Sequence, residues 1–195
     1  PKEFNKKIKN LKNNTNVAVK LYITKNYKDD RNGVLTELIK NLNLSNSCSI
    51  LDFGGTGEMK DKIKKFLPNL KYTCLNLSKC TGTTCANYSG VCTLYNGITI
   101  PTQLDKFDLI ICDMVFHHAS ENAISLLQQL VDSAKKYIII GEELSSLSAS
   151  KLWQKTLFEH DPNGVFRSNR EWITLFKMLD LKIKLIAPVD RYGLH

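Results

Sequence analysis

The chain has 195 residues, 43% of them hydrophobic and 24% charged, and a net charge of +8. That length suits one domain with a sizeable buried core, and the composition excludes a disordered or low-complexity chain. No apolar run is long enough to cross a bilayer and no secretory leader is visible, so a cytoplasmic, membrane-free protein is expected.

The charge is unevenly placed. Residues 1–28 carry eight lysines against the single acid Glu3, so nearly all of the excess sits there. With the weak periodicity of 1–19, this reads as a basic arm over 1–29, serving an anionic partner such as RNA or acting as a solubilising tail. The folded domain is then expected over 30–195. A first residue of Pro1 points to a domain cut from a longer chain.

From Asp30 onward, Val34, Leu35, Leu38, Ile39 and Leu42 recur at three- and four-residue spacing, which predicts an amphipathic helix. Residues 48–53 read as a buried strand ended by Gly54 and Gly55. A helix follows with Met59, Ile63, Phe66 and Leu67 on one face, stopped by Pro68. Strands are expected at 72–77 and 92–95, separated by a loop over 78–91 and followed by a turn at Asn96-Gly97. Residues 107–113 make an apolar run typical of a central parallel strand. Ile124, Leu127, Leu130 and Val131 mark the next helix, and 137–140 the next strand. Glu142-Glu143 and a long segment come next, and then Ser168-Asn169-Arg170-Glu171, a capping box. Trp172, Leu175, Phe176 and Leu179 line the helix it opens, and a last strand falls at 182–187.

Strands alternating with helices predict an α/β fold, a doubly wound, mostly parallel sheet of six or seven strands with helices on both faces. Ligands in such sheets sit at the C-terminal strand ends, here the loops after Phe53, Leu77, Asp113 and Gly141. The six cysteines (Cys48, Cys74, Cys80, Cys85, Cys92, Cys112) are expected as reduced thiols. Their spacing does not match paired zinc ligands, so no metal is expected.

Three segments carry a resemblance. Ile50-Leu51-Asp52-Phe53-Gly54-Gly55-Thr56-Gly57 runs from strand through a glycine loop into a helix, a pattern several nucleotide cofactors share. It resembles the first motif of class I S-adenosylmethionine (SAM) dependent methyltransferases, except that Gly54 and Gly55 are adjacent where the family alternates its glycines. Cys74-Leu75-Asn76-Leu77-Ser78 is similar to the family's second motif, with Asn76 where an acid usually grips the ribose. Phe107 to His118 resembles the fourth motif in length and residue type, with Asp113 at the sulfonium end. The resemblance implies a Rossmann-like fold, SAM as cofactor, and a donor site of Asp52, Phe53, Gly54, Gly55, Thr56, Gly57, Asn76, Leu77, Asn96, Gly97, Asp113 and Met114.

For the methyl acceptor, Cys112-Asp113-Met114-Val115-Phe116-His117-His118 also resembles mRNA cap guanine-N7 methyltransferases. That implies His117 against the cap guanine and His118 where Tyr is usual; separately, the acids Glu142 and Glu143 after the next strand are expected to accept from the guanine N1 and N2 donors. Lys25, Tyr27 and Arg31 resemble the basic segment those enzymes place over the substrate. Guanine N7 is a lone-pair nucleophile, so in-line transfer there needs no general base. On this reading the catalytic residues are His117, His118 and Glu142, the partner is capped RNA, and the domain is a monomer from a viral polyprotein acting in the host cytoplasm. Two other classes fit the same residues. One is a small-molecule O- or N-methyltransferase with His117 or His118 as base and 144–167 as a lid. The other is a non-catalytic SAM-fold module, favoured by the irregular glycine loop and Asn76.

Overall fold

Among the described residues, seven strands lie side by side in the order β4-β3-β2-β5-β6-β1-β7, and every paired neighbour is parallel. The computed structural model describes residues 18–23, 31–77, 92–101, 104–145, 161 and 163–188. In chain order these form β1 (Ala18–Ile23), α1 (Arg31–Lys40), β2 (Ser49–Phe53), α2 (Met59–Lys64), β3 (Lys71–Leu77) and β4 (Thr93–Tyr95). Then come β5 (Phe107–Asp113), a 3-10 turn (Ser120–Asn122), α3 (Ala123–Ser133), β6 (Ala134–Gly141), α4 (Asn169–Met178) and β7 (Lys182–Pro188). The parallel, doubly wound architecture is as the alternating pattern predicts. Among the described residues, no helix is long and apolar enough to cross a membrane.

A parallel sheet covered on both faces needs strands that are apolar on both faces, and β5 shows how. Its Leu109 and Ile111 join a layer with Leu35, Leu38, Ile39, Met59 and Ile63 of α1 and α2. The alternate residues Ile110 and Cys112 pack with Leu126, Leu127 and Leu130 of α3 and Trp172 and Phe176 of α4. Side chains alternate along a strand, so one apolar run feeds two cores. Burial also pushes the Cys112 thiol well above its ordinary value. At the strand starts, Asp108 Oδ2 accepts from Ser49 N and Ser49 Oγ, both at 2.9 Å, which clasps β5 to β2. Burial alone would raise the Asp108 carboxyl; the Ser49 hydrogen bonds and Lys136 outweigh it and hold the carboxyl below its ordinary value.

Three expectations change. First, the basic stretch is not all arm: residues 18–23 form β1, hydrogen-bonded between β6 and β7, with Leu21 opposite Ile140 and Ile186. The domain therefore does not begin at residue 30. Second, Cys74 and Cys92 are joined in a disulfide, not reduced. Adjacent parallel β3 and β4 pair Leu75 with Thr93, which sets the two cysteines one step earlier side by side, Cα–Cα 4.5 Å. Cys48 and Cys112 are free and buried, whereas Cys80 and Cys85 lie outside the described residues. Third, the buried face of α3 is Ala123, Leu126, Leu127 and Leu130, and Ile124 is 48% exposed. The capping box forms as expected, with Glu171 N donating to Ser168 Oγ and Ser168 N to Glu171 Oε2.

Candidate active site

The tips of β2 and β5 are neighbours, Phe53 opposite Cys112, and the loops leaving them touch. Beyond each tip the ladder gains one more rung: Gly54 N donates to Leu75 O and Met114 N to Gly141 O, both at 2.7 Å. Gly54 and Gly57 take φ of +74° and +80°, left-handed values that favour glycine. A Cβ on Gly54 would come within 2.5 Å of Val115 Cγ2, so this loop packs directly on the chain after β5. A Cβ on Gly55 would fall on the Asp52 carboxylate. The adjacent Gly54 and Gly55 thus each have a packing reason.

Several of the residues expected at a donor site adjoin one another at the β2, β3 and β4 tips. Asp52, buried, accepts from Tyr72 Oη at 2.5 Å and Gly57 N at 3.4 Å. Burial, then the Asp52 charge, drives the Tyr72 phenol far above its ordinary value, so it stays a donor. Asn76 Nδ2 donates to Gly55 O at 2.8 Å, and its Oδ1 accepts from Leu77 N at 2.7 Å. In this conformation both ends of the Asn76 amide hold backbone. Asn96 Oδ1 accepts from Ile98 N and Thr99 N, building the turn in which Gly97 takes φ +84°. A Cβ on Gly97 would meet Leu77 Cδ2 at 3.0 Å, so the β3 and β4 tips adjoin. Met114, at φ +60°, turns the chain out of β5 beside Asp113.

Val115 leads by two residues to His117, which is 4% exposed. Its Nδ1 lies 2.8 Å from Glu142 Oε2. The other carboxylate oxygen, Oε1, accepts from Val115 N at 2.9 Å and Phe116 N at 2.6 Å. Glu142 is 3% exposed, and these three contacts account for its burial. In the neutral ring, a carboxylate facing Nδ1 selects the tautomer in which Nδ1 donates and Nε2 carries the lone pair. Phe166 stacks on the His117 ring, centroids 5.3 Å apart and planes 13° apart. Val165 N donates to His117 O at 2.7 Å, and Arg167 reaches Phe116 O and Ser120 O. Residues 163–167 are therefore strapped across the turn that carries His117.

On its other side, His117 Nε2 lies 3.4 Å from Asp161 Oδ2, which is also 3.4 Å from His118 Nδ1. Neither approach has hydrogen-bond geometry, so Asp161 Oδ2 is buried without a hydrogen-bond partner. His118 is largely exposed, its ring centroid 4.0 Å from that of His117. Burial, then neighbouring His117, pulls His118 below its ordinary value.

The expected placements sort as follows. His117, His118 and Glu142 come together. Glu142 does not reach out as a guanine ligand, because both its oxygens are committed to the protein. Glu143 is buried next to it. Arg31 opens α1, and Lys25 and Tyr27 lie outside the described residues. Sequence reasoning missed Tyr72, which reads there only as a strand residue, and Asp161, brought to the histidines by a chain reversal that no local spacing encodes.

No family model and no curated sequence matches this chain. Among solved structures it is similar to the pyocyanin biosynthetic protein PhzM, with TM-score 0.53 and 19% identity over 74% of this chain and 47% of that one. It is similar as well to the mitomycin 7-O-methyltransferase MmcR, with TM-score 0.50 and 16% identity over 74% and 50%. The plantazolicin methyltransferase BpumL, solved with SAH, matches at TM-score 0.49 and 26% identity over 68% and 55%. The chain spans about half the length of each of these proteins. What PhzM and MmcR share with it at such identities is the fold, a Rossmann-like parallel sheet with helices on both faces.

Proposed function

We propose that the chain is a SAM-dependent methyltransferase that moves a methyl group to a hydroxyl or amine of a small molecule, with His117 as general base. The observation that carries this reading is the buried His117–Glu142 pair, set two residues beyond the Val115–Gly54 contact that joins the glycine loop to the β5 tip. The glycine loop at the β2 tip is where such a donor would lie: Gly54 and Gly57 take the left-handed φ values that shape its tight turn. Asn76, Asp113 and Met114, at the ends of the neighbouring strands, would line the same donor site. SAM supplies an electrophilic methyl on a sulfonium. The protein holds the acceptor, and His117 Nε2 takes the acceptor's proton as its nucleophilic atom reacts. Glu142 fixes the imidazole's tautomer and stabilises its charge once protonated, while the Val115 and Phe116 amides pin Glu142.

MmcR is named as an O-methyltransferase, and the shared fold supports the same class here. Transfer to cap guanine N7 requires no base and gives this buried pair no task; the lysine-rich N-terminal stretch is what supports that second reading. Labelled SAM with a panel of phenols, aryl amines and capped RNA separates the two. Label on a phenol or amine, lost in His117→Ala while SAM binding persists, is the expected result. Label on capped RNA that survives His117→Ala overturns the base.

A further inference from the structure

We propose that His117, His118 and Asp161 bind one divalent transition-metal ion of the Zn2+ kind, with Glu142 as the outer partner that orients His117. Two imidazoles and a carboxylate are a donor set that suits borderline dications. The three ligand atoms lie within 4.8 Å of one another. Ligands about 2.1 Å from a tetrahedral zinc stand roughly 3.4 Å apart, and Asp161 Oδ2 lies 3.4 Å from each imidazole nitrogen.

The electrostatics ask for a cation there. In the neutral ring with Nδ1 donating to Glu142, His117 turns a lone pair toward Asp161 Oδ2, an acceptor facing an acceptor. Oδ2 is buried and has no hydrogen-bond donor, and a group so placed costs free energy unless a positive charge meets it. A cation coordinated by all three atoms meets both demands. The surroundings are already those of a metal site. The ligating imidazole donates its far nitrogen to a carboxylate that is itself pinned by two amides. The Phe166 stack and the Val165–His117 hydrogen bond hold the segment near Asp161 against the turn. Exposed His118 gives the ion its way in.

A cation on Nε2 takes the lone pair that the acceptor proton needs, so loading the site inhibits transfer. That consequence rests on the base reading above; metal binding does not. The full chain, stripped with EDTA, is titrated with Zn2+ by calorimetry without SAM or acceptor. One ion per chain is expected, with affinity at least tenfold weaker in His118→Ala and in Asp161→Asn. No stoichiometric uptake, or uptake unchanged in both variants, overturns the site. Imidazole nitrogen NMR of the unmodified chain covers variants that fail to fold: Zn2+ must shift His117 Nε2 and His118 Nδ1, and signals that stay put overturn it equally. In the label-transfer assay, Zn2+ should suppress product at least tenfold and EDTA restore it. Binding without suppression retains the site and removes the base.

Discussion

Glu142 receives three donors on two oxygens, and two of those donors are amides of the very turn that presents His117. Its carboxylate therefore sets the shape of the turn as well as the tautomer of the ring. Glu142→Gln keeps an acceptor for the amides but loses the charge behind Nδ1. It should lower kcat roughly 100-fold while leaving KM for SAM unchanged; a KM change with kcat intact would show a role in binding only. At the β2 tip, Gly55→Ala places a methyl on the Asp52 carboxylate, which Tyr72 already holds. That clash should cost about 1–3 kcal/mol of stability and abolish SAM binding, read from denaturant melts and donor titration.

At the scale of elements, the capping box of α4 gives a prediction with a pH sign. Ser168, through its hydroxyl and its amide, holds the Glu171 carboxyl below its ordinary value. A carboxyl depressed in the folded state adds stability that is complete above its unfolded value and lost as pH falls through the folded one. Ser168→Ala should cost about 1 kcal/mol at pH 7. The gap should narrow on acidification, when only the neutral hydrogen bond from Glu171 N–H to Ser168 Oγ is left to lose; urea midpoints across pH measure it.

Elements with an apolar signature were legible in the sequence. The 107–113 run, the Val34–Leu42 periodicity and the Ser168–Glu171 box each state their structure locally. β1 was not, because Ala18–Ile23 sits among lysines whose charge dominates the composition, and its pairing depends on strands far along the chain. The disulfide was hidden for a similar reason: Cys74 meets Cys92 only through the β3–β4 register. In the site, the glycine loop and the double histidine were visible as motifs. What Asp161 faces is set by how the 163–167 strap folds back, which no local pattern encodes.

For the whole molecule, two long-range constraints govern stability. The Cys74–Cys92 bridge closes a loop with a separation of 18 residues at the β3–β4 edge. Reduction, or Cys92→Ser, should cost about 3 kcal/mol by the loop-entropy relation, seen as a Tm drop in dithiothreitol. Deleting residues 1–23 should do far more than trim a charged tail. It removes the strand that pairs with both β6 and β7, so the shortened chain should lose cooperative unfolding by calorimetry.

That placement of β1 also sets an order of events on the ribosome. The first of the described strands in sequence has its sheet neighbours only once residues 134–141 and then β7 follow it, and β7 pairs with β1 alone. Such distant pairing slows folding, and the lysines around the waiting strand discourage it from joining the wrong neighbour meanwhile.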